Sequence, residues 1–267
     1  MSVKRIWAIF VRQLYLIRGT ATRFFQIFIW IIVDITLWGF ITRYLTGTAG
    51  SEFSFTTMFL GAVLLWDFST NVMQGITMLF FEDVWSRNFL NIFASPLKIS
   101  EYVAGLILSG IGRSILALIV MFLFAALVFS FSIFGFGASL AAFLLILFLF
   151  GIALGVIGIS IVLRLGPAAE WLVWPIPAFL SPFIGVFYPL SVLPEWMQFI
   201  GHLLPPSYVF TGIREIISGG TFSSSTFFWG FFTSLVYIVL ACVIFVGVYR
   251  KAVRTGLIAR YSAETVT

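Results

Sequence analysis

Three ionisable side chains lie deep within long apolar stretches of this sequence: Asp34, Asp67 and Arg113. Each sits about ten to twelve residues from the start of a stretch long enough to span a membrane as a helix, which places it near the bilayer centre. A charge there costs at least about 2.5 to 3.5 kcal/mol on insertion scales, so each group needs a partner, water or a neutral form. The simplest arrangement pairs Arg113 with one aspartate. The other aspartate would then be protonated or would face water.

The stretch that contains Asp67 carries a polar face. Asp67, Asn71 and Gln74 recur at spacings of four and three, with Thr70 and Thr77 beside them, so a helix places them along one side. Such a face lines a transport pathway or a dimer seam, or it forms hydrogen bonds with neighbouring helices inside a bundle. A proton relay is the weaker interpretation, because the single histidine lies in a separate loop.

Enzyme chemistry is not indicated. The chain has one histidine, His202, and one cysteine, Cys242, so it lacks the residue clusters of a zinc or other metal site. It also lacks a glycine-rich phosphate loop that ends in Gly-Lys-Ser or Gly-Lys-Thr. We therefore expect no metal or cofactor in this chain. If the protein does energetic work, the nucleotide chemistry belongs to another polypeptide.

The composition indicates an all-α integral membrane protein, because 61% of the 267 residues are hydrophobic and only 9% are charged. A span needs about 20 apolar residues. Six stretches qualify or nearly qualify: 24–44, 55–81, 102–131, 138–163, 171–188 and 226–249. Residues 24–267 are accordingly predicted to form one six-span transmembrane domain.

The distribution of basic residues predicts the orientation. Of the 15 Lys and Arg residues, only Arg43 and Arg214 fall on the far side of the membrane from the N-terminus, and Arg113 lies within a span. The remaining basic residues fall on the N-terminal side. Because cytoplasmic loops carry the excess of Lys and Arg, both termini are expected in the cytoplasm. The net charge of +5 follows from this asymmetry and does not indicate a nucleic-acid partner.

Residues 1–23 predict a basic amphipathic helix on the cytoplasmic membrane surface. They contain five basic residues and no acid, and Ile6, Phe10, Leu14 and Ile17 recur every three or four positions. The cations would face anionic lipid headgroups.

Two later segments depart from simple spans. The fifth stretch contains Pro175, Pro177 and Pro182, which predict a kinked or interrupted helix. The following residues, 189–220, are too polar and too rich in proline to span, although they retain a helical apolar face. We expect one or two short re-entrant helices there, covered by protein or water.

The fourth stretch has a different feature. Gly151, Gly155 and Gly158 share one face at spacings of four and three, which predicts the close approach of another helix.

The loop between the second and third spans predicts a cytoplasmic helix of about three turns, from Asp83 to Ala94. Glu82 and Asp83 would lie at its start, and the residue before Pro96 would end it. Ser100 is then expected to cap the third span. The helix would carry an apolar face of Trp85, Phe89, Ile92 and Phe93, surrounded by Arg87, Asn88 and Asn91. This face either contacts a soluble partner or rests on lipid headgroups.

Taken together, these features resemble an ABC-2 type transporter permease. The resemblance is carried by the six spans, the basic N-terminal helix and the loop with Glu82, Arg87, Asn88 and the turn at 94–97. It is carried further by the late run 189–208 with its Pro-Leu-Ser, Leu-Pro-Glu-Trp and Leu-Pro-Pro-Ser-Tyr segments, followed by Arg214 and Glu215.

The resemblance implies a homodimeric half-transporter that binds two copies of a separate ATPase, which holds ATP and Mg. It implies a role for three groups of residues. The coupling helix, 82–96, would contact the ATPase through Glu82, Asp83, Trp85, Arg87, Asn88, Phe89, Phe93 and Pro96. The translocation pathway between protomers would be bordered by Asp34, Asp67, Asn71, Gln74, Trp174 and Tyr188. The outer gate would include Pro194, Glu195, Trp196, Pro205, Tyr208 and Arg214.

The same resemblance implies export of an amphipathic, lipid-like, lipid-linked glycan or drug substrate across a bacterial or archaeal cytoplasmic membrane. Membrane lipids are the other expected partner. Two alternatives remain: a self-contained channel or secondary carrier that uses Asp34, Asp67 and Arg113 as ion or proton sites, and a membrane scaffold without transport.

Overall fold

The computed structural model describes residues 1–18, 21–49, 56–86, 88–220 and 223–256, and within these ranges the chain is helical, without strands. The α-helices, numbered along the chain, are α1 Val3–Arg18, α2 Ala21–Ala49, α3 Gly61–Trp85, α4 Phe89–Ala94, α5 Ile99–Phe129, α6 Ser139–Leu165, α7 Glu170–Val173, α8 Ile176–Ile184, α9 Glu195–Leu203, α10 Pro205–Ile217 and α11 Ser224–Arg254. A π-helical turn, Thr56–Leu60, leads into α3.

The fold is that of an all-α membrane protein, as predicted. In the described ranges, four helical segments are long and apolar enough to cross a bilayer by themselves: Ile29–Gly47, Ile99–Phe129, Ser139–Leu165 and Ser224–Arg254. The other two predicted spans correspond to α3, whose polar face lowers its average hydropathy, and to the interrupted segment formed by α7 and α8. Both belong to the same helical bundle.

Helix α3 lies at the centre of this bundle, between α5 and α6. The glycine face of α6 makes the predicted close approach. A Cβ atom at Gly151 would lie 2.7 Å from the Ser69 carbonyl oxygen, and one at Gly158 would lie 2.7 Å from the Thr77 Cγ2. Ser69 also donates a hydrogen bond of 3.0 Å to the Leu147 carbonyl. One face of α3 is therefore packed against the backbone of α6.

The fifth predicted span is interrupted, as its prolines indicate. After α6 ends, Gly166 adopts a positive φ of 100°, and a short turn at Pro167–Ala169 leads into the single turn of α7. Trp174 and Pro175 separate α7 from α8, and α8 ends at Gly185, which has a φ of 68°. The segment thus begins with a tight reversal and contains a break about one turn later.

Two short helices, α9 and α10, precede the last span, as predicted for residues 189–220. Pro194 is the residue before α9 and Pro205 opens α10, so each helix begins where a missing backbone donor costs nothing. On one side of α10, Val209, Phe210 and Ile213 are buried. Trp196 and Phe199 on α9 remain exposed.

The loop between α3 and α5 differs from the sequence prediction. The predicted helix from Asp83 to Ala94 is not continuous: Glu82 and Asp83 belong to the last turns of α3, and only the six residues of α4 are helical in the loop. The physical reason is that Asp83 and Val84 are buried in the bundle, which extends α3 to Trp85. Ser95 is extended before Pro96 and ends α4 as predicted.

The predicted cap of the third span was also wrong. Helix α5 begins at Ile99, so Ser100 lies within its first turn. Lys98 precedes the helix, and its backbone N–H donates to the Glu101 carboxylate over 3.1 Å. Glu101 therefore satisfies a free donor at this helix start.

Candidate functional site

A groove of about 370 Å³ lies between α2, α3, α5 and the α7 segment. We call it the groove throughout, and its lining consists of Trp30, Ile31, Asp34, Asp67, Thr70, Asn71, Gln74, Met78, Arg113 and Trp174. Five of the six predicted pathway residues and Arg113 thus meet at one place. Tyr188 is not among them.

The groove exists because α3 has two unlike faces. Ser69, Val72 and Ile76 are buried on the side of α6, whereas Asp67, Asn71 and Gln74 lie on the side of α2. The polar side chains are only half-buried. Polar groups in an apolar bundle need hydrogen-bond partners, so this face requires water or a bound molecule wherever the protein supplies none.

The charged groups of the groove do not form the predicted ion pair. Arg5–Glu101 and Arg12–Asp83 are the ion pairs recorded among the described residues, and Arg113 forms none with Asp34 or Asp67.

Both aspartates line the groove. Asp34 lies close enough to Asp67 for their charges to interact, and one carboxylate oxygen of Asp67 is buried without a hydrogen bond. On the same face of α3, the Asn71 amide nitrogen donates to the Asp67 backbone carbonyl over 2.9 Å.

Tyr188 and Arg214 form a different unit at the end of α8. The Arg214 guanidinium donates to the carbonyl of Gly185 and, over 2.8 Å, to that of Tyr188. The Tyr188 hydroxyl donates to the Pro182 carbonyl over 2.8 Å. Because these carbonyls belong to the turn that follows α8, Arg214 fixes that turn to α10.

The other predicted outer-gate residues lie around α9 and α10. Pro194 and Glu195 are exposed at the start of α9. Trp196 is exposed and packs its ring edge-to-face with Phe183, at 6.2 Å between ring centroids. Pro205 is buried, and the Tyr208 hydroxyl donates to the His202 carbonyl over 2.8 Å.

Asp83 lies at the opposite end of α3, which we call the basic end: the end of the bundle that carries α1, the 86–98 loop and the start of α7. Its carboxylate is only 1% exposed. It accepts two hydrogen bonds from Arg12, one of them at 3.1 Å, and one of 2.7 Å from the Tyr102 hydroxyl. These bonds raise the pKa of the Arg12 guanidinium above its ordinary value. Asp83 therefore joins α1, α3 and α5 and presents no surface to a partner.

We call the Arg12–Asp83–Tyr102 contacts the first clamp. A second clamp holds the start of α1. The Glu101 carboxylate accepts from the Ser2 backbone N–H over 2.7 Å and from the Arg5 guanidinium over 3.2 Å. Between the two clamps α1 packs closely on α5, where a Cβ atom at Gly105 would lie 2.6 Å from the Ile9 Cβ. Two of the predicted headgroup-facing cations thus bind carboxylates of the bundle.

The remaining coupling residues surround the 86–98 loop. Trp85 is 45% exposed, Pro96 is exposed, and the Asn88 side chain accepts a hydrogen bond of 3.2 Å from Asn91. Glu82 is half-buried. Arg87 and the side chains of Phe89 and Phe93 lie outside the described residues.

Sequence reasoning missed Glu170. Its carboxylate accepts the indole N–H of Trp85 over 2.9 Å and that of Trp174 over 3.1 Å. It therefore joins the end of α3, next to the 86–98 loop, to the wall of the groove. The spacing of four between Glu170 and Trp174 was the only local signal, since Trp85 is 85 positions away.

The described part of the chain holds no group of three His, Cys, Asp or Glu side chains that could bind a metal ion. A family model for the ABC-2 type transporter matches residues 4–218. The chain belongs to the ABC-2 type transporter family. The match includes the groove, the arginines and carboxylates of both clamps, the 86–98 loop and the α9–α10 pair, and it confirms the resemblance seen in the sequence. A comparison with curated proteins gives no significant match.

Membership of the ABC-2 type transporter family identifies a multi-pass membrane permease. The matched domain is a membrane domain and not a nucleotide-binding domain, and the family normally pairs with an ABC ATPase.

Proposed function

We propose that this chain is the membrane subunit of an ATP-driven exporter, and that the groove is its substrate pathway. The observation that carries the proposal is the convergence of Asp34, Asp67, Asn71, Gln74 and Trp174 on one groove within an ABC-2 permease. Half-buried polar groups at mid-membrane depth are costly, so their concentration in a single groove favours a path for a polar part of a substrate.

The composition of the groove favours an amphipathic substrate. Trp30 and Trp174 are exposed aromatic residues of its lining, which they share with the polar groups of α2 and α3. Aromatic rings contact apolar or ring-shaped parts of a ligand, while carboxylate and amide groups bind its polar part. A lipid-linked glycan, a lipid or an amphipathic drug has both parts.

The assembly we propose contains two copies of this permease and two copies of a separate ATPase that binds ATP and Mg. The basic end would face the cytoplasm of a bacterium or archaeon, in accordance with the excess of basic residues there. The ATPase would dock on the 86–98 loop, where Asn91 and Ala94 are exposed on α4. The α9–α10 pair would then border the outer gate.

The docking proposal is tested by adding bulk and charge to α4. Asn91→Arg with Ala94→Arg should abolish copurification of the co-expressed ATPase and ATP-dependent transport, because both positions are exposed and the bundle needs neither side chain. The matched control is Ser191→Arg with Val192→Arg, which adds the same charge at the opposite end of the bundle. Retained copurification in the α4 variant would contradict the assignment of the loop.

A secondary carrier is the second candidate, and one observation favours it: Arg113 and the two aspartates of the groove form no ion pair with one another. Unpaired ionisable groups facing a groove are also the pattern of an ion or proton site. The two functions differ in their energy source. Transport by the reconstituted permease alone, driven by an ion gradient, would establish the carrier and exclude the exporter.

A further inference from the structure

An aromatic cluster continues the groove face of α3 towards the basic end. Asp67, Asn71, Gln74 and Met78 follow one another along this helix at spacings of three and four, and Phe81 and Trp85 continue the same series. A molecule that left the groove towards the basic end would therefore meet these two aromatic residues.

Phe81 packs between the two tryptophans of this region. Its ring centroid lies 6.1 Å from that of Trp85 and 6.4 Å from that of Trp174. Phe81 is buried, while Trp85 and Trp174 are 45% and 40% exposed. The two tryptophans come from different parts of the chain, so their contacts with Phe81 connect the end of α3 to the α7 segment.

Glu170 holds this contact together. One carboxylate oxygen accepts the Trp85 indole N–H and the other accepts the Trp174 indole N–H, at 2.9 and 3.1 Å. Glu170 lies in the first turn of α7, where a negative charge is favoured by the helix dipole, and the turn at Pro167–Ala169 fixes it close to the end of α6. Each indole has a single donor, so both polar atoms of the pair are satisfied by this one carboxylate.

We propose that Phe81, Trp85, Glu170 and Trp174 form the inner gate of the groove, and that Glu170 is the positioning residue that links this gate to the coupling loop. Trp85 is the last residue of α3 and immediately precedes the 86–98 loop. Movement of the loop withdraws the Trp85 indole from Glu170, releases Trp174 and opens the groove at the basic end. This inference rests on the proposed function for the source of the movement, but the closed gate itself requires no ATPase.

The test measures access to the groove in membrane vesicles that expose the basic end. Cys242→Ser removes the single native cysteine, and Thr70→Cys then places a reporter thiol in the groove. The rate of labelling by a membrane-impermeant maleimide is compared with and without Glu170→Ala. We expect an increase of at least about tenfold in this rate, because Glu170→Ala removes both of the hydrogen bonds that the Glu170 carboxylate accepts in the closed state.

Two milder variants guard against misfolding. Trp85→Phe keeps the ring and removes only its N–H, and Glu170→Gln keeps the shape of the side chain but offers one acceptor oxygen. Each should raise the labelling rate. Trp85→Phe combined with Glu170→Ala should raise it no further than Glu170→Ala alone, because the alanine already removes the Trp85 bond. If Glu170 had a purely structural role, these variants would instead lower the thermal stability without this pattern of labelling rates.

Two controls locate the effect. Glu195→Ala, the same substitution at an exposed glutamate on α9, should leave the labelling of the Thr70→Cys thiol unchanged. A reporter at Ser191→Cys, at the opposite end, should show no response to Glu170→Ala.

Unchanged labelling of the Thr70→Cys thiol in the Glu170 and Trp85 variants overturns the inner gate. If such unchanged labelling accompanies ATP-dependent transport by the native complex, the gate fails and the exporter stands. Increased labelling in a protein that neither binds an ATPase nor transports with ATP supports the gate and overturns the exporter.

Discussion

The clamps at the basic end and the groove contain the same kinds of charged residue in opposite situations. At the basic end, Asp83 and Glu101 are buried and each binds an arginine of α1. In the groove, Asp34 and Asp67 lie near Arg113 without an ion pair among them. A buried carboxylate is costly in either place, but only at the basic end does the protein itself offset the cost.

This difference separates architecture from function. The clamps use charge to attach α1 to the bundle, so their loss is expected to damage the fold. The groove leaves its polar groups to water or to a substrate, so their loss is expected to damage activity and spare the fold. Four substitutions test this separation, and they are arranged from the largest expected effect on stability to the smallest.

Arg12→Ala should have the largest effect. It leaves the buried Asp83 carboxylate with Tyr102 as its hydrogen-bond donor, and breaking a buried pair in this way costs about 3 to 5 kcal/mol of unfolding free energy. Thermal and denaturant unfolding in detergent measure the loss. The double variant Arg12→Ala/Asp83→Ala should recover part of it, and simple additivity of the two losses would show that the pair is not coupled.

Gly105→Ala should have a smaller effect of about 1 to 3 kcal/mol, because the new methyl group would lie 2.6 Å from the Ile9 Cβ and force α1 away from α5. The control is Gly247→Ala on α11, where a Cβ atom would meet no other atom within 4 Å. Equal effects of the two substitutions on the unfolding midpoint would mean that α1 is not closely packed on α5.

Arg5→Ala should cost at most about 1 kcal/mol, since the Arg5 side chain is 41% exposed and its ion pair is screened by solvent. Glu101 retains the backbone donors of Ser2 and Lys98. The loss should shrink further in high salt. If Arg5→Ala lost as much unfolding free energy as Arg12→Ala, the two clamps would contribute equally to stability, contrary to this prediction.

Asp67→Asn should have the smallest effect on stability, about 0.5 kcal/mol or less, because no ion pair is broken and the shape of the side chain is kept. Transport should nevertheless fall severalfold if the groove binds the substrate. The two readouts are the unfolding midpoint and ATP-driven uptake into inside-out vesicles. A severe loss of folded protein would instead identify Asp67 as a member of a structural pair and break the comparison.

Much of this arrangement could be predicted from local patterns. Helical spacing predicted both the polar face of α3 and the glycine face of α6. The prolines of 171–188 and 189–220 predicted the interrupted span and the two short helices. In each case the signal lies within about ten neighbouring residues and follows from the geometry of a single helix.

The clamps and the inner gate could not be predicted in this way. Arg12 and Asp83 are 71 positions apart, and Trp85 and Glu170 are 85 apart, so their meeting depends on how the helices pack. The continuation of α3 through Glu82 and Asp83 was missed for the same reason. Two adjacent acids usually indicate the start of a helix. Here Asp83 instead lies inside the bundle, where Arg12 and Tyr102 bind it.

The two faces of α3 also constrain how this protein can evolve. Substitutions at Val72 or Ile76 must keep a shape that fits the glycines of α6, so we expect few of them to be tolerated. Substitutions at Asn71 or Gln74 change what lines the groove. If the groove is the substrate pathway proposed above, new substrate preferences can arise on one side of a single helix while the other side maintains the fold.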